Sequence, residues 1–310
     1  MTGKECWKIT GIISSYLLIK IIIPLPDWQR VSIFNFGPAK SLALRKVTNT
    51  YPVDSSGMEE KIDTGNTDIS GFANLDKKGF PAIDYLLYSK EPDSALINLY
   101  TDSANKADRK TYLKKVSKEL SEKSTKVLDK WIASNGNYIK TFVSNTGTDE
   151  GSSLSLIVNS LNQHFETWHR KGKFGIPLGK ETFSDDKLPE KSEAFFSKIS
   201  LSLAKKNLKT MKHFYLGKGE DGDKLGLDNE LRFLETKHND RLLADAILDQ
   251  FTKAQSTMDQ IPTPLTKSLT SNTSIVNDTY DNLQQMIVLL KTDMPSALGV
   301  LITYQDNDND

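Results

Sequence analysis

The sequence predicts an all-α protein made of two antiparallel helical bundles, one per lobe, with loop insertions, and three observations carry that prediction. Apolar residues recur at three-and-four spacing through most of the chain, turn formers cluster between those stretches, and no stretch alternates apolar and polar residues long enough to demand a sheet. At 310 residues the chain is also longer than a single core of ordinary size, which seldom grows beyond about 250 residues. The boundaries expected are an atypical N-terminal segment at 1–27, a first lobe at 28–147 and a second at 148–310. The divide is set there because 145–151 is the most polar, glycine-bearing stretch in the centre.

Residues 9–25 are strongly apolar, but Gly11, Ser14, Ser15, Lys20 and Pro24 interrupt them, and they fall short of the ~20 clean residues that span a bilayer. Lys4 and Lys8 begin a pattern like that of an export signal. Glu5 weakens that start, and the Pro-Leu-Pro-Asp run at 24–27 offers no small-x-small cleavage site, so no intact signal peptide is recognised. A helix or strand packed on the body is the expectation for this segment.

Residues 28–46 carry Val31, Phe34, Leu42 and Leu44 around Phe36-Gly37-Pro38, which predicts a kink or two short helices. Asn49-Thr50-Tyr51-Pro52 reads as a turn, because proline pushes its predecessor out of the helical region. Residues 54–62 read as a short helix capped by Ser55 or Ser56, with Glu59 and Glu60 in its first turns. A further helix begins at Gly79-Phe80-Pro81, with Pro81 near the first turn, where its missing N–H costs nothing. Residues 108–134 show the clearest stripe: Leu113, Val116, Leu120, Val127 and Trp131. In the second half, residues 154–168, 193–216, 225–257 and 274–291 carry the same periodicity. The last of these has Ile275, Thr279, Leu283, Ile287 and Leu290 on its buried face.

Forty basic residues balance forty acidic ones, leaving no overall field to hold a nucleic acid. The lysines at 114–130 alternate with Glu119, Glu122 and Asp129, as on a solvated helix face. The single cysteine, Cys6, excludes an intramolecular disulfide and a thiolate-rich metal site. The only close histidine pair, His164 and His169, is five residues apart, which turns the second by roughly 140° around a helix. Such a pair would not chelate one ion as a unit. The run Gly217-Lys218-Gly219-Glu220-Asp221-Gly222 has glycines at the spacing of a dinucleotide loop. It follows a helix and carries two acids that would repel phosphate, so it reads as a loop. The acidic end, residues 306–310, lacks the glycine and bidentate glutamate of a calcium loop.

Three separated motifs in the first half are informative together: Phe34-Asn35-Phe36-Gly37-Pro38-Ala39, Asn49-Thr50-Tyr51-Pro52-Val53-Asp54, and Lys78-Gly79-Phe80-Pro81-Ala82-Ile83-Asp84-Tyr85-Leu86-Leu87. Further segments follow in order, namely Phe174-Gly175-Ile176-Pro177-Leu178-Gly179, Glu193-Ala194-Phe195-Phe196-Ser197, Gly226-Leu227-Asp228 and the C-terminal stretch 298–308. This collinear set resembles the imelysin-like family, also called iron-regulated protein A or peptidase family M75. The resemblance implies two four-helix-bundle lobes, a place in the bacterial periplasm or cell envelope, and a part in iron acquisition.

The family signature, Gly-x-His-x-x-Glu, reads here Gly79-Phe80-Pro81-Ala82-Ile83-Asp84. Pro81 stands where the histidine should be and has no side-chain lone pair to give a metal or a proton, while Asp84 keeps a carboxylate one methylene shorter. One carboxylate does not make a metallopeptidase site, which needs about three protein ligands and an activated water. Two readings of Asp84 stand side by side: a ligand-binding group, or an acid satisfied by Arg45, by a backbone N–H or by Tyr51. Arg45 is the expected partner, since guanidinium is the usual companion of a buried acid. Glu193, in the second lobe's motif, is expected to face the same inter-lobe cleft.

Asp84, Arg45, Tyr51 and Glu193 are therefore the candidate ligand-binding residues, with Asp84 the candidate ligand for iron or another divalent metal. The function that follows is an envelope-associated binding protein in iron or haem acquisition, holding a ligand or an envelope protein partner between its lobes without catalysis. A metallopeptidase and a surface interaction protein with no small ligand are the alternatives. Residues 1–27 do not look like the helical stretch that precedes this point in the family. A truncated or frame-shifted start, leaving the first bundle short of one or two helices, is the expectation for that end.

Overall fold

The structure, a computed structural model, describes residues 50–90, 92–182, 186–219 and 222–304. The expectations for residues 1–49, among them the apolar segment, the kinked helix and Arg45, lie outside the described residues. Within them the fold is all-α.

Helix α1, Ser55–Asp63, is capped by Asp54, whose carboxylate accepts the Gly57 N–H at 2.9 Å. The cap is thus the aspartate before the two serines rather than Ser55 or Ser56. Lys77 reaches the same carboxylate at 2.8 Å and fixes the turn Phe72–Lys77 against it. Helix α2, Gly79–Tyr88, opens where the sequence places a start. Gly79 sits at φ +76°, in the left-handed region that favours glycine, and Pro81 lies buried two residues on, where no intrahelical N–H is needed. A short helix α3, Asp93–Thr101, leads to α4, Lys106–Trp131, 26 residues and about 39 Å long. The stripe of α4 buries Val116, Val127 and Trp131 as its periodicity predicts, and Arg109 and Tyr112 with them.

Helix α5, Tyr138–Ser144, crosses to α6, Ser153–Gln163, whose Ser152 cap accepts the Ser155 N–H. Beyond Gln163 the structure shows a feature that the helical periodicity of 154–168 does not predict. The chain does not leave the helix but widens into a π-helix, His164–Gly175, whose i→i+5 ladder carries it through Gly172. Residues 193–199 form turns rather than the start of a helix, and α7 runs from Ser200 to Tyr215. The glycine loop after it is a two-residue hairpin, β1 (Lys218–Gly219) with β2 (Gly222–Asp223).

The stretch 225–257, read as one helix, is divided into α8, Leu227–Phe233, and α9, Leu243–Asp259. A second small hairpin, β3 (Lys237–His238) with β4 (Arg241–Leu242), separates them, turning through Asn239 and Asp240 at positive φ. Asparagine and aspartate tolerate that conformation, so the turn overrides helical periodicity there. The chain closes with α10 (Leu265–Ser271), α11 (Thr273–Ile287), a π-helical turn (Val288–Asp293) and α12 (Met294–Leu298).

Two apolar cores result. One joins Met58 and Ile62 of α1, Ala82, Tyr85 and Leu86 of α2, and Tyr112 and Val116 of α4. The larger gathers Val127 and Trp131 of α4 with the inner faces of α6, α7, α9 and α11. Helix α4 therefore serves both, its N-terminal half in the first and its last turns in the second. Among the described residues no helix is long and apolar enough to cross a membrane.

Candidate functional site

A cleft of about 300 Å³ opens where α2 meets the turns that precede α7, and it gathers Tyr51, Pro81, Asp84 and Glu193. Four positions singled out in the sequence are thus neighbours, although 142 residues separate the first from the last. Each is placed by a specific contact.

Helix α2 is anchored on its core side by Tyr85, whose hydroxyl donates to Glu59 of α1 at 2.6 Å. The other oxygen of Glu59 accepts from the buried guanidinium of Arg109, and Arg109 also lies over the Tyr100 ring at 5.9 Å. With Tyr85 fixed inward, Asp84 on the adjoining face points to the turns at 193–198. Its two oxygens accept the N–H of Phe196 at 3.0 Å and of Ser197 at 3.2 Å. Two successive amides converging on one carboxylate form a small anion-binding concavity, here filled by the protein's own side chain. Of the partners expected for Asp84, it is backbone N–H that the structure provides. Burial pushes the Asp84 carboxyl above its ordinary range, while the Ser197 side chain and the two amides pull it back.

The turn that offers those amides is held open by unusual backbone. Ala194 and Lys198 both have positive φ, at 48° and 62°, where a side chain is rarely found. The Lys198 N–H returns to the Ala194 carbonyl at 3.0 Å, closing a loop with Phe195, Phe196 and Ser197 at its tip. Phe196 packs edge-on against Tyr85 with centroids 5.2 Å apart, tying this loop to the first core. Backbone held in a sparse region persists only where the surroundings fix it, and such positions concentrate at functional sites.

Glu193 is buried at the base of the loop and forms an ion pair with Lys173 of the π-helix, which is buried as well. Its backbone carbonyl accepts the Ser200 hydroxyl. Tyr51 closes the other side, its hydroxyl donating to the carbonyls of Glu190 and Ser192, the latter at 3.2 Å. Burial first, then the carboxylates of Asp84, Glu190 and Glu193, hold the Tyr51 phenol protonated far above its ordinary range.

The walls are otherwise apolar: Val53, Phe80, Ile83 and Leu203 within, and Leu87, Tyr88 and Ile199 at the rim. The rim residues are 37%, 53% and 41% exposed, a grouping of large apolar side chains left uncovered around one opening. The motifs read in the sequence contain Leu87, Phe196 and Ser197 without giving them a role, and the sequence pointed to neither Tyr88, Ile199 nor Lys173.

Among the described residues, those at the cleft do not make a metal site by themselves. Pro81 supplies no donor, both Asp84 oxygens accept N–H groups and Glu193 is engaged by Lys173. Among the described residues no three histidine, cysteine or acidic side chains come together in a set that could hold a cation.

The chain is similar in fold to two solved structures. One is an iron-regulated protein A precursor from Parabacteroides distasonis, at 17% identity with 96% of each chain covered and a TM-score of 0.68. The other is an imelysin-like protein from Psychrobacter arcticum, at 19% identity over 97% of this chain and 92% of that one, with a TM-score of 0.57. No protein of curated function matches. The family model for imelysin, peptidase family M75, matches residues 25–291, a span that takes in α2, the Glu193 loop, the first core and most of the second. With that match running through most of its length, the chain belongs to the imelysin family.

Proposed function

We propose that this chain is a non-catalytic imelysin-family binding protein of the bacterial envelope that takes part in iron or haem acquisition. It holds an apolar ligand or partner segment in the cleft between α2 and the Glu193 loop. The observation that carries the reading is the exposed apolar rim of Leu87, Tyr88 and Ile199 around a cleft whose carboxylates are already engaged by protein groups. An opening of that composition favours burial of an apolar surface over coordination of a bare ion. The link to iron rests on family membership and on the iron-regulated protein A name of one structural relative. In this reading the ligand sits between α2, which belongs to the first core, and the turns that lead into α7 of the second.

The test is a titration of the purified chain with hemin, ferric ion and zinc, followed by absorbance and calorimetry. Hemin is expected to bind saturably, and the paired change Leu87→Asp with Ile199→Asp, at exposed positions, is expected to abolish it. Ferric ion and zinc are expected to give no saturable heat. Absence of hemin binding, or binding indifferent to both rim changes, removes the reading and leaves an interaction surface for a protein partner. Hydrolysis of an unfolded protein that is lost on chelation and in Asp84→Ala would instead restore the peptidase alternative.

A further inference from the structure

A second concavity, about 590 Å³, lies between α7 and α9. From α7 it is lined by Lys205, Lys206, Lys209, Lys212 and His213, which fall on one face because their spacings are one, three, three and one. Lys218 of β1 adds a fifth lysine at the end of the helix. From α9 come Phe251, Gln255 and Asp259, and the floor is carbon: Leu208, Leu216, Phe251 and the lysine stems.

In a chain whose charges balance overall, such a grouping is a local excess. Lys205 is paired with Asp259 at 3.1 Å and Lys218 with Asp223 at 3.6 Å. Lys212 has only the Thr252 hydroxyl, at 3.0 Å. Among the described residues no carboxylate lies within ion-pairing distance of Lys206, Lys209 or Lys212. These three ammonium groups are spread along about 9 Å of helix. A cleft lined by one sign of charge over a low-dielectric floor focuses its field and concentrates counter-ions. His213 lies in that field: burial first, then Lys209, Lys218 and Lys212, hold its imidazole below the ordinary value against a weaker pull from Asp223.

We propose that the groove between α7 and α9 is a binding site for a small polyvalent anion of the phosphate class, contacted by Lys206, Lys209 and Lys212. A free ligand fits better than a bilayer, because the lysines line a concave surface that a flat array of headgroups would not enter. Its volume is also in the range of small-molecule sites, about 300 to 1,000 Å³. The site lies apart from the α2 cleft and shares only the region of α7 that separates them, so its occupancy does not depend on the proposed haem or iron role.

The probe is tripolyphosphate, titrated into the full chain at 0.15 M salt by calorimetry, with His213 followed by NMR. One saturable site is expected, and the His213 pKa should rise when it fills. The paired change Lys206→Glu with Lys209→Glu, both at exposed positions, should weaken binding by at least about tenfold, since charge-assisted contacts become repulsions. The same charge change on α4, Lys110→Glu with Lys114→Glu, should leave it unaltered. Equal loss in both variants, or no saturation, would overturn the site. Binding to vesicles of anionic phospholipid without binding of free tripolyphosphate would overturn the free-ligand assignment and make the face a membrane contact.

Discussion

Asp84→Ala isolates the contact that joins α2 to the Glu193 loop. The carboxylate accepts two backbone amides, and hydrogen bonds to a charged acceptor contribute roughly 1.5 to 3 kcal/mol each when well buried. Asp84 is half-buried, so the lower end applies and the loss expected for alanine is about 2 to 3 kcal/mol. Asp84→Asn keeps one acceptor and removes the cost of burying a charge, so its loss should be about 1 kcal/mol or less. The two substitutions also differ in pH dependence. Burial raises the folded carboxyl above its ordinary 3.8, so as pH rises through that value the unfolded chain releases its proton first. The native protein therefore loses stability across that interval relative to the asparagine variant, and recovers it on acidification. Urea denaturation from pH 3.5 to 7 measures both effects, and hydrogen exchange of the Phe196 and Ser197 amides reads the contact itself. Unchanged protection of those two amides in folded Asp84→Ala, or a loss no greater than for asparagine, would refute the role given to this carboxylate.

The Lys173 and Glu193 pair is buried on both sides, so Lys173→Met should cost about 3 to 5 kcal/mol by stranding a carboxylate in the interior. Adding Glu193→Gln to it should recover much of that. A urea midpoint for Lys173→Met close to that of the native chain would show that Glu193 finds water or another cation. His169 is enclosed on the π-helix, and burial, with Lys173 and His164 beside it, holds its imidazole well below the ordinary 6.5. The unfolded chain takes up the proton first as pH falls through 6.5, so stability should be lost there by up to about 1.4 kcal/mol per pH unit. Phenylalanine at 169 should flatten that slope, and parallel slopes for the two proteins between pH 6.5 and 5 would exclude His169 as the cause.

What could be read from the sequence divides along a physical line. Helix α4 was legible because its burial is periodic: Val116, Val127 and Trp131 recur at helical spacing whatever they pack against. The start of α2 was legible for a local reason too, a glycine at positive φ followed by a proline that needs no partner. The division of 225–257 was not, since two residues at Asn239 and Asp240 redirect the chain while the apolar spacing on either side stays helical. The π-helix at His164–Gly175 was hidden for the same reason, because one extra residue per turn leaves composition unchanged.

At the site, the motif around Asp84 could be found and backbone N–H was among the partners weighed, but which residues offer it could not be read. A carboxylate that accepts backbone amides leaves no trace in the identity of the residues offering them, as any residue but proline has an N–H. Arg45, expected from the chemistry of side-chain pairs, lies outside the described residues, and the backbone N–H weighed beside it is what the structure shows. The Lys173 partner of Glu193 is a side-chain solution, but it comes from a helix 20 residues upstream whose course through Gly172 the sequence did not reveal. Pro81 offers no side-chain donor beside Asp84, and that carboxylate is absorbed into the joint between α2 and the Glu193 loop. What is left facing the opening is the apolar rim, where a function for this cleft has to be sought.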